Sequence, residues 1–271
     1  MNPITLVATD LDGTLFYDRE NITSRDRACL ARLRDAGVTL VFATGRELDG
    51  VRPALHRLSL WDAPRYIIHS GGGGIYDVAQ DRDDALGVMD VATLRDIYRR
   101  YKGYGVPIMI SQHGRLYTSM LTDILRNEAR LLGYEITEVP DFESVLTEPN
   151  GKIVMNGTIA QLERMLPIVT ADPDPRYRWH RSHDNYIDCY RAGIDKGAAL
   201  GKLCAMLGVP LSDTLAIGDN LNDLQLLSTA GHSACPGDAH PDVLPAVDFV
   251  ACPAQEGAVA CACDHFIPPR P

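Results

Sequence analysis

Short apolar runs alternate with amphipathic stretches in the first part of the chain. Ile4 to Thr9, Val38 to Ala43 and Tyr66 to His69 have the length and composition of buried strands. Thr23 or Ser24 can cap a helix that runs to Ala36, and Gly37 can end it. A further helical stretch precedes the third run. Strands that alternate with helices in this way are typical of a parallel sheet with helices on its faces.

The same alternation returns near the end of the chain. Lys196 to Leu207 and Asp223 to Ser228 are predicted to be helical, and Thr214 to Ile217 and Asp248 to Ala251 are predicted to be strands. The two ends of the sequence therefore predict parts of one α/β sheet.

The middle of the chain has a different pattern. Two hairpins are predicted, one around Gly114 and one from Tyr177 to Tyr190, with helices and a further strand between them. Paired strands with interspersed helices are typical of an α+β module. We therefore predict an α/β protein in which an α+β cap domain (residues 80–188) is inserted into a Rossmann-like parallel-sheet core (residues 1–79 and 189–271).

Composition and charge exclude one class of partner. The 271 residues include 36 acidic and 26 basic ones, for a formal net charge of −10. Proteins that bind the nucleic-acid backbone concentrate Lys and Arg on one surface, whereas here these residues are scattered. Nucleic acid is therefore not an expected partner, although a small anionic ligand remains compatible with a local positive pocket.

Cysteine usage and hydropathy predict the compartment. The seven cysteines are odd in number and irregularly spaced, and Cys261 and Cys263 form a C-x-C pair rather than a zinc motif. Buried thiols in a reducing cytosol are the simplest interpretation. The sequence shows no basic segment followed by an apolar one at its start, and no apolar stretch long enough to cross a bilayer. We expect a cytoplasmic protein that does not bind membranes.

The strongest chemical signal is the sequence Asp10-Leu11-Asp12-Gly13-Thr14-Leu15, directly after the first predicted strand. Carboxylates two residues apart can point to one side of a strand end, where open parallel sheets bind ligands. Two close anions repel each other, and a Mg²⁺ ion with oxygen ligands would relieve that repulsion. An Asp-Gly turn alone would be commonplace, so the interpretation depends on what accompanies it.

Three further polar clusters lie at comparable positions. Thr44-Gly45-Arg46 follows the second strand, Lys196 opens a helix, and Gly218 to Asp223 follows the strand that ends at Ile217. A hydroxyl and free amides at a strand-to-helix junction suit a phosphoryl group. A lysine is unfavourable at a helix N-terminus unless it contacts an anion there. Each cluster has a structural explanation by itself, but the set of four favours a phosphate site.

This ordered set resembles the motifs of the haloacid dehalogenase superfamily. The motifs are Asp-x-Asp-Gly-Thr-Leu, Thr-Gly-Arg, Lys-Gly and Gly-Asp-x-x-Asn-Asp, and they occur here in that order. The late position of the predicted insertion is similar to that of the type IIB, Cof-like branch. The resemblance implies a phosphatase that acts through an aspartyl-phosphate.

The resemblance also implies roles for three catalytic residues. Asp10 would be the nucleophile that attacks phosphorus. Asp12 would protonate the leaving oxygen and then deprotonate the water that hydrolyses the intermediate. Lys196 would stabilise the negative charge on the nucleophile and on the phosphoryl oxygens.

The remaining motif residues would bind the phosphate and the metal. In the resembled family, Thr44, Gly45, Arg46 and Asn222, together with Lys196, correspond to residues that bind the phosphoryl group. Mg²⁺ would be held by the Asp10 carboxylate, the Asp12 backbone carbonyl and Asp219, with Asp223 supporting the metal or Lys196.

Two regions depart from the motifs or lie outside them. Gly71 to Gly74 stands where the family often has Asn-Gly, and we interpret it as a flexible turn. His180 and His183 lack partners at metal-ligand spacing, so we expect a polar strand and turn there. A second interpretation is that Arg181 or His183 contacts the leaving group of the substrate.

We therefore expect a Mg²⁺-dependent hydrolase of small phosphorylated metabolites, such as sugar phosphates, that is a monomer or a small homo-oligomer. Two alternatives remain open at this point. A phosphomutase would pass the phosphoryl group to a second hydroxyl, and a phosphoryl-binding sensor would retain the site without turnover.

Overall fold

The strands and helices at the start of the chain follow the predicted alternation. The computed structural model describes residues 3–18, 21–113, 115–132 and 135–268. The Thr23 hydroxyl accepts a hydrogen bond from the Asp26 N–H at 2.9 Å and caps the first helix, as predicted. The elements are β1 (Leu6–Thr9), α1 (Ser24–Asp35), β2 (Thr39–Ala43), α2 (Leu48–Arg57), β3 (Tyr66–His69), β4 (Gly74–Asp77) and β5 (Arg82–Ala85).

A second group of elements forms the inserted unit. They are α3 (Val91–Tyr101), β6 (Ile108–Gln112), β7 (Arg115–Thr118), α4 (Asp123–Leu132), β8 (Ile136–Glu138), β9 (Lys152–Asn156), α5 (Ile159–Thr170), β10 (Tyr177–His183) and β11 (Tyr186–Arg191). The strand order is β10-β11-β9-β6-β7-β8. All neighbours are antiparallel except β7 and β8, which are parallel. Both predicted hairpins are present, although Gly114, at the centre of the first one, lies outside the described residues.

The chain then returns to the first sheet. The returning elements are α6 (Lys196–Leu207), β12 (Thr214–Ile217), α7 (Leu224–Thr229), β13 (His232–Cys235), β14 (Phe249–Val250) and α8 (Ala258–Phe266). Neither β13 nor α8 was predicted. The His-Ser-Ala-Cys sequence of β13 has no branched aliphatic residue, so it lacks the signal by which short strands are detected.

The first sheet has the order β14-β13-β12-β1-β2-β3-β4-β5. It is parallel from β14 to β3, and β4 and β5 continue it as antiparallel strands. Alternate residues of β1 face opposite sides: Val7 packs in the cluster that holds α1 and α8 side chains, and Leu6 packs in the one that holds α6 and α7 side chains. Helices therefore cover both faces, and the predicted fold class is confirmed.

The chain divides into two units, Met1–Leu86 with Ile194–Pro271, and Gly87–Gly193. The sequence placed the domain boundaries at residues 79/80 and 188/189 instead. The first boundary shifts because β5 pairs with β4 as an edge strand of the core sheet. The second shifts because β11 continues its pairing with β10 as far as Arg191.

All seven cysteines are free thiols. Within residues 3–18, 21–113, 115–132 and 135–268, the helices are too short or too polar to cross a membrane.

Candidate active site

Three neighbouring parallel strands deliver polar residues to one edge of the core sheet. Asp10 follows β1, Thr44 follows β2, and Asp219 lies two residues after the end of β12. These strands are adjacent, with β1 between the other two. The carboxyl ends of parallel strands share one edge, so their side chains converge there. The Asp10 N–H donates to the Ile217 carbonyl at 2.8 Å, which fixes the end of β1 against β12.

Lys196 is almost fully buried in the site, with 1% of its surface exposed. Its Nζ donates to Asp10 Oδ1 at 2.7 Å and to Asp223 Oδ1 at 2.6 Å. Burial alone would lower the pKa of Lys196, but the charges of Asp10 and Asp223 raise it above its ordinary value. The ammonium group is therefore held charged. Its place at the start of α6 is explained by these two carboxylates, which outweigh the unfavourable helix dipole.

Asp223 organises both the lysine and the loop after β12. Its Oδ2 accepts the backbone N–H groups of Asp219 and Asn220, each at 3.1 Å, while its Oδ1 accepts Lys196. Gly218 passes so close that a Cβ there would lie 2.5 Å from the Cβ of Asp223. Both carboxylate oxygens of Asp223 are thus used within the protein, which suits a supporting role.

The carboxylate of Asp219 is held by the turn that follows Asp10. The Thr14 hydroxyl donates to Asp219 Oδ1 at 2.8 Å. Gly13 has a φ of +83°, and an added Cβ would lie 2.4 Å from Asp219 Oδ2. A glycine is required here both for the left-handed backbone and for this close approach.

The three carboxylates form an acidic cluster. Oxygen atoms of Asp10, Asp219 and Asp223 lie within 4.8 Å of one another. Burial raises the pKa of Asp10 well above its usual range, an effect that Lys196 opposes and the neighbouring acids reinforce. Burial and the charge of Asp223 raise the pKa of Asp219 to about 7. Ionising the whole cluster is therefore costly in the protein alone.

This donor set fits a divalent metal ion. The available atoms are carboxylate oxygens, which are the ligands that Mg²⁺ prefers. Three ionised carboxylates against the single ammonium of Lys196 leave two excess negative charges, which is the charge of one such ion. Because Gly13 has no side chain, no Cβ occupies the position 2.4 Å from Oδ2 of Asp219.

Asp12 points to a different partner from Asp10. Its two oxygens accept hydrogen bonds from Arg46, Oδ2 from Nε at 2.8 Å and Oδ1 from Nη2 at 2.5 Å. The Asp12 side chain is 47% exposed, whereas that of Arg46 is 16% exposed. The carboxylate therefore lies at the accessible margin of the site in a bidentate ion pair.

The loop after β2 is held from both sides. The Thr44 N–H donates to the Ile68 carbonyl at 2.8 Å, and the Arg46 N–H donates to the Thr44 hydroxyl at 3.1 Å. A Cβ added to Gly45 would lie 3.7 Å from Nδ2 of Asn222, so the Asn222 amide reaches this loop from the β12 side. Thr44, Gly45 and Asn222 are thus brought together beside the acidic cluster.

Comparisons with known proteins identify the family of the chain. A family model described as haloacid dehalogenase-like hydrolase matches residues 7–262. The chain belongs to this family. The candidate phosphatase YxeH of Bacillus subtilis (strain 168) is 28% identical over 272 residues, which cover 97% of this chain and 98% of that protein. The predicted resemblance to the haloacid dehalogenase superfamily is confirmed.

Solved structures show the same fold along nearly the whole hydrolase. A haloacid dehalogenase-like hydrolase from Bacteroides thetaiotaomicron has a TM-score of 0.82 at 26% identity and covers 97% of this chain and 99% of its own. A structure described as a subclass IIB sugar phosphatase of the superfamily has a TM-score of 0.82 at 20% identity, with 97% and 98% covered. The second likeness concerns the fold alone.

The glycine run of the hydrolase is not the flexible turn that we predicted. The Gly71 N–H donates to the Thr44 carbonyl at 3.0 Å, and the Ser70 N–H donates to the Arg46 carbonyl at 2.8 Å. Gly72 has a φ of +104°, and an added Cβ would lie 2.2 Å from the carbonyl oxygen of Asp195, the residue before Lys196. The run therefore joins the Thr44–Arg46 loop to the start of α6. Its ordered conformation depends on tertiary contacts that spacing in the sequence does not reveal.

Other expected contacts lie in the inserted unit of the hydrolase. Arg181 donates from Nη2 to the Asp184 carbonyl at 2.9 Å, and Nδ1 of His183 accepts the Asn185 N–H at 3.4 Å. Both residues thus lie at the end of β10 and contact the turn that joins it to β11, a polar strand and turn as the simpler interpretation expected. Two contributors were missed, Thr14 and Gly72. Thr14 lies inside the first motif and was a detectable candidate, whereas nothing in the sequence marks Gly72 apart from its neighbours.

Proposed function

We propose that this hydrolase is a Mg²⁺-dependent phosphatase that cleaves small phosphate monoesters, such as sugar phosphates, through an aspartyl-phosphate on Asp10. The observation that carries the proposal is the buried contact between Lys196 and Asp10 within a cluster of three carboxylates. A fixed ammonium and a divalent ion beside one carboxylate suit a reaction that needs positioning and charge neutralisation above all.

In the first step an oxygen of Asp10 attacks phosphorus as the bond from phosphorus to the ester oxygen breaks. Asp12 gives its proton to that departing oxygen, which leaves as an alcohol. The Thr44 hydroxyl and the Asn222 amide bind the phosphoryl oxygens, together with Gly45. Lys196 stabilises the negative charge that these oxygens carry.

In the second step the Asp12 carboxylate accepts a proton from a water molecule. The water oxygen bonds to phosphorus, the bond to Asp10 breaks, and inorganic phosphate is released. Splitting one difficult displacement into two easier ones is the advantage of a carboxylate nucleophile.

The Asp10 and Asp219 carboxylates, with the Asp12 backbone carbonyl, would hold Mg²⁺. Bound there, the ion supplies positive charge that lets both carboxylates ionise and screens them from an anionic substrate. Asp223 keeps Lys196 and the Asp219 loop in place, in accordance with its contacts to both.

Two considerations support a sugar phosphate as the substrate class. A solved structure with the same fold is described as that of a subclass IIB sugar phosphatase. The core site described above recognises the phosphoryl group alone, so the rest of the substrate is left to other parts of the chain. Small phosphorylated metabolites with polar leaving groups satisfy both conditions.

The experiment that tests the function is phosphate release from a panel of sugar phosphates, nucleotides and p-nitrophenyl phosphate, with Mg²⁺ and with EDTA. We expect release that depends on Mg²⁺ and that is fastest for one or a few sugar phosphates. Rapid quenching with labelled substrate should trap label on Asp10. Release that is unaffected by EDTA, or a trapped label on another residue, would contradict the mechanism.

A further inference from the structure

The Asp12–Arg46 ion pair separates the two carboxylates of the first motif. Lys196 contacts Asp10, whereas Arg46 grips Asp12 through two parallel hydrogen bonds of 2.8 and 2.5 Å. A guanidinium fork that meets both oxygens of a carboxylate fixes its plane as well as its position. Each carboxylate therefore has its own cation, and the two cations come from different parts of the chain.

Arg46 is itself anchored on three sides. Its N–H donates to the Thr44 hydroxyl at 3.1 Å, and its carbonyl accepts the Ser70 N–H at 2.8 Å. Its guanidinium carbon lies 5.9 Å from the centre of the Phe16 ring, a cation–π distance. Asp12, by contrast, is half exposed on a turn, where a free side chain would sample several rotamers. The rigid partner in this pair is the arginine.

We propose that Arg46 is the positioning residue for Asp12: it holds the carboxyl group at the place from which the leaving oxygen is protonated. This inference rests on the proposed function, and it replaces the phosphate-binding role that the family resemblance implied for Arg46. The guanidinium acts through Asp12 and is not required to touch the phosphoryl group. Because the backbone N–H of Arg46 also contacts the Thr44 hydroxyl, one residue connects the loop that binds phosphate to the proton donor.

Protonation by Asp12 matters most for substrates with poor leaving groups. In the first step Asp12 carries a proton on one oxygen while its other oxygen accepts from Arg46. It transfers this proton to the ester oxygen as the bond between that oxygen and phosphorus breaks and Asp10 bonds to phosphorus. An alkoxide, as from a sugar phosphate, leaves poorly without this proton, whereas nitrophenolate leaves well without it. A misplaced Asp12 therefore slows the cleavage of alkyl esters far more than that of aryl esters.

The test compares kcat/KM for the best sugar phosphate of the panel with that for p-nitrophenyl phosphate, since this ratio reports on the first phosphoryl transfer. Arg46→Met removes the fork at similar side-chain length, and Arg46→Lys keeps only a single point charge. The control is Arg34→Met, an arginine of the same unit whose side chain is 57% exposed. Melting temperatures establish that each variant is folded.

We expect Arg46→Met to reduce kcat/KM for the sugar phosphate by about 10²-fold, within the range of general-acid catalysis. The reduction of kcat/KM for the aryl ester should be smaller by a factor of about ten or more. Arg46→Lys should recover part of the difference. In an Asp12→Asn background, Arg46→Met should add no further leaving-group effect, because the residue that it positions is already disabled. Inhibition by inorganic phosphate should be unchanged throughout.

Two results would overturn the proposal. Equal losses for both esters with weaker inhibition by inorganic phosphate would make Arg46 a phosphate ligand instead. Wild-type rates in Arg46→Met would remove any role. Failure of the proposed function has a different signature: the unmodified protein would release no phosphate from either ester with Mg²⁺ present.

Discussion

Lys196 and Asp10 lie 186 positions apart in the chain, yet their side chains form a buried 2.7 Å ion pair at the edge of the core sheet. Asp223 completes the contact from the other side at 2.6 Å. Removing two opposite charges from water is favourable only when the pair is well matched and further hydrogen bonds satisfy it. The lysine therefore adds a buried ionic contact to the strand pairing that joins the first and the last parts of the core.

Replacing Asp10 separates chemistry from folding. Asp10→Asn keeps the shape of the side chain but removes the nucleophilic oxygen, so we expect turnover to fall by about 10⁴-fold or more. Asp12→Asn should reduce it by about 10²- to 10⁴-fold, because only acid–base catalysis is lost. Phosphate-release assays and circular dichroism check the two effects. Near-native activity of Asp10→Asn would exclude Asp10 as the nucleophile, and a silent Asp12→Asn would remove its acid–base role.

Replacing Lys196 should affect stability as well as activity. Lys196→Met leaves two buried carboxylates without their cation, and breaking a buried pair in this way costs about 3–5 kcal/mol. The double variant Lys196→Met/Asp223→Asn removes one of those charges and keeps an acceptor for the loop amides, so it should regain part of the stability. Urea unfolding measures both differences. Activity should remain lost in the two variants, and equal stabilities would show that Asp223 is not coupled to Lys196.

Elements with strong local patterns were predictable from the sequence. β3 and β12 have the predicted bounds, and α1 begins at its predicted cap. The elements with weak sequence signals are strands that are stabilised by pairing with neighbouring strands. β13 is identified by its pairing with β12. β5 has the sequence Arg-Asp-Asp-Ala, a charged edge strand without the hydrophobic alternation that would predict it.

The same limit applies within the candidate site. Motif order indicated which polar residues converge, because it resembles that of a known family. It did not indicate that Arg46 grips Asp12, or that Gly72 packs against the residue before Lys196. Both relationships depend on how close two loops come in space. The spacing of residues in the sequence predicts on which face of a strand a side chain lies. It does not predict how closely a loop from a distant part of the chain packs against that side chain.

Magnesium binding should weaken below neutral pH. The pKa of Asp219 is about 7 without the ion, raised by burial and by the charge of Asp223. Mg²⁺ must displace that proton, so its Kd should rise by at least about tenfold for each pH unit below ~7. Thr14→Val removes a hydrogen bond that lowers this pKa, so it should move the transition to higher pH. Calorimetric titration between pH 5.5 and 8 gives the profile; a flat one would contradict the role of Asp219.

The same raised pKa has a consequence for stability without metal. The unfolded chain releases the Asp219 proton near pH ~4, whereas the folded chain keeps it until about 7. The folded state thus binds more protons in this window, and the metal-free protein should lose stability as the pH rises through it. Saturating Mg²⁺ should therefore raise the melting temperature more at pH 8 than at pH 5. An equal rise at both values would exclude this linkage.

Gly72 and Gly37 provide a matched pair for testing the glycine run. Both have positive φ, +104° and +76°, but an added Cβ meets the Asp195 carbonyl at Gly72 and nothing within 4 Å at Gly37. Gly37→Ala should lower the unfolding free energy only through backbone strain, by about 1–2 kcal/mol, and should leave kcat unchanged. Gly72→Ala should lower the unfolding free energy by more than this. It should also lower kcat, because it displaces the start of α6 and hence Lys196. Chemical unfolding and steady-state kinetics compare them, and similar effects at the two sites would argue against the contact.

Asp172 ties together the inserted unit. The hydroxyl of Tyr177 donates to its carboxylate at 2.6 Å, Tyr101 and Arg100 donate to it as well, and its side chain is 3% exposed. Burial opposes ionisation, but these hydrogen bonds lower the pKa of Asp172 below its usual range. The ionised carboxylate therefore stabilises the unit above the unfolded-state pKa of ~4, and this contribution is lost as the pH falls further.

Asp172→Asn should therefore destabilise the inserted unit by roughly 1.5–3 kcal/mol at neutral pH, the usual worth of a hydrogen bond to a charged group. Hydrogen exchange measured by mass spectrometry should show faster exchange in peptides from residues 87–193 and little change elsewhere. The control is Asp96→Asn. The Asp96 side chain is 46% exposed and pairs with Arg176 at the surface, so this substitution should change the unfolding free energy by less than about 1 kcal/mol. The difference in unfolding free energy between the wild type and Asp172→Asn should be constant near neutral pH and should become smaller below pH ~4. A gap that widens in acid would mean that the neutral carboxyl group, rather than the ionised one, makes the stabilising contacts.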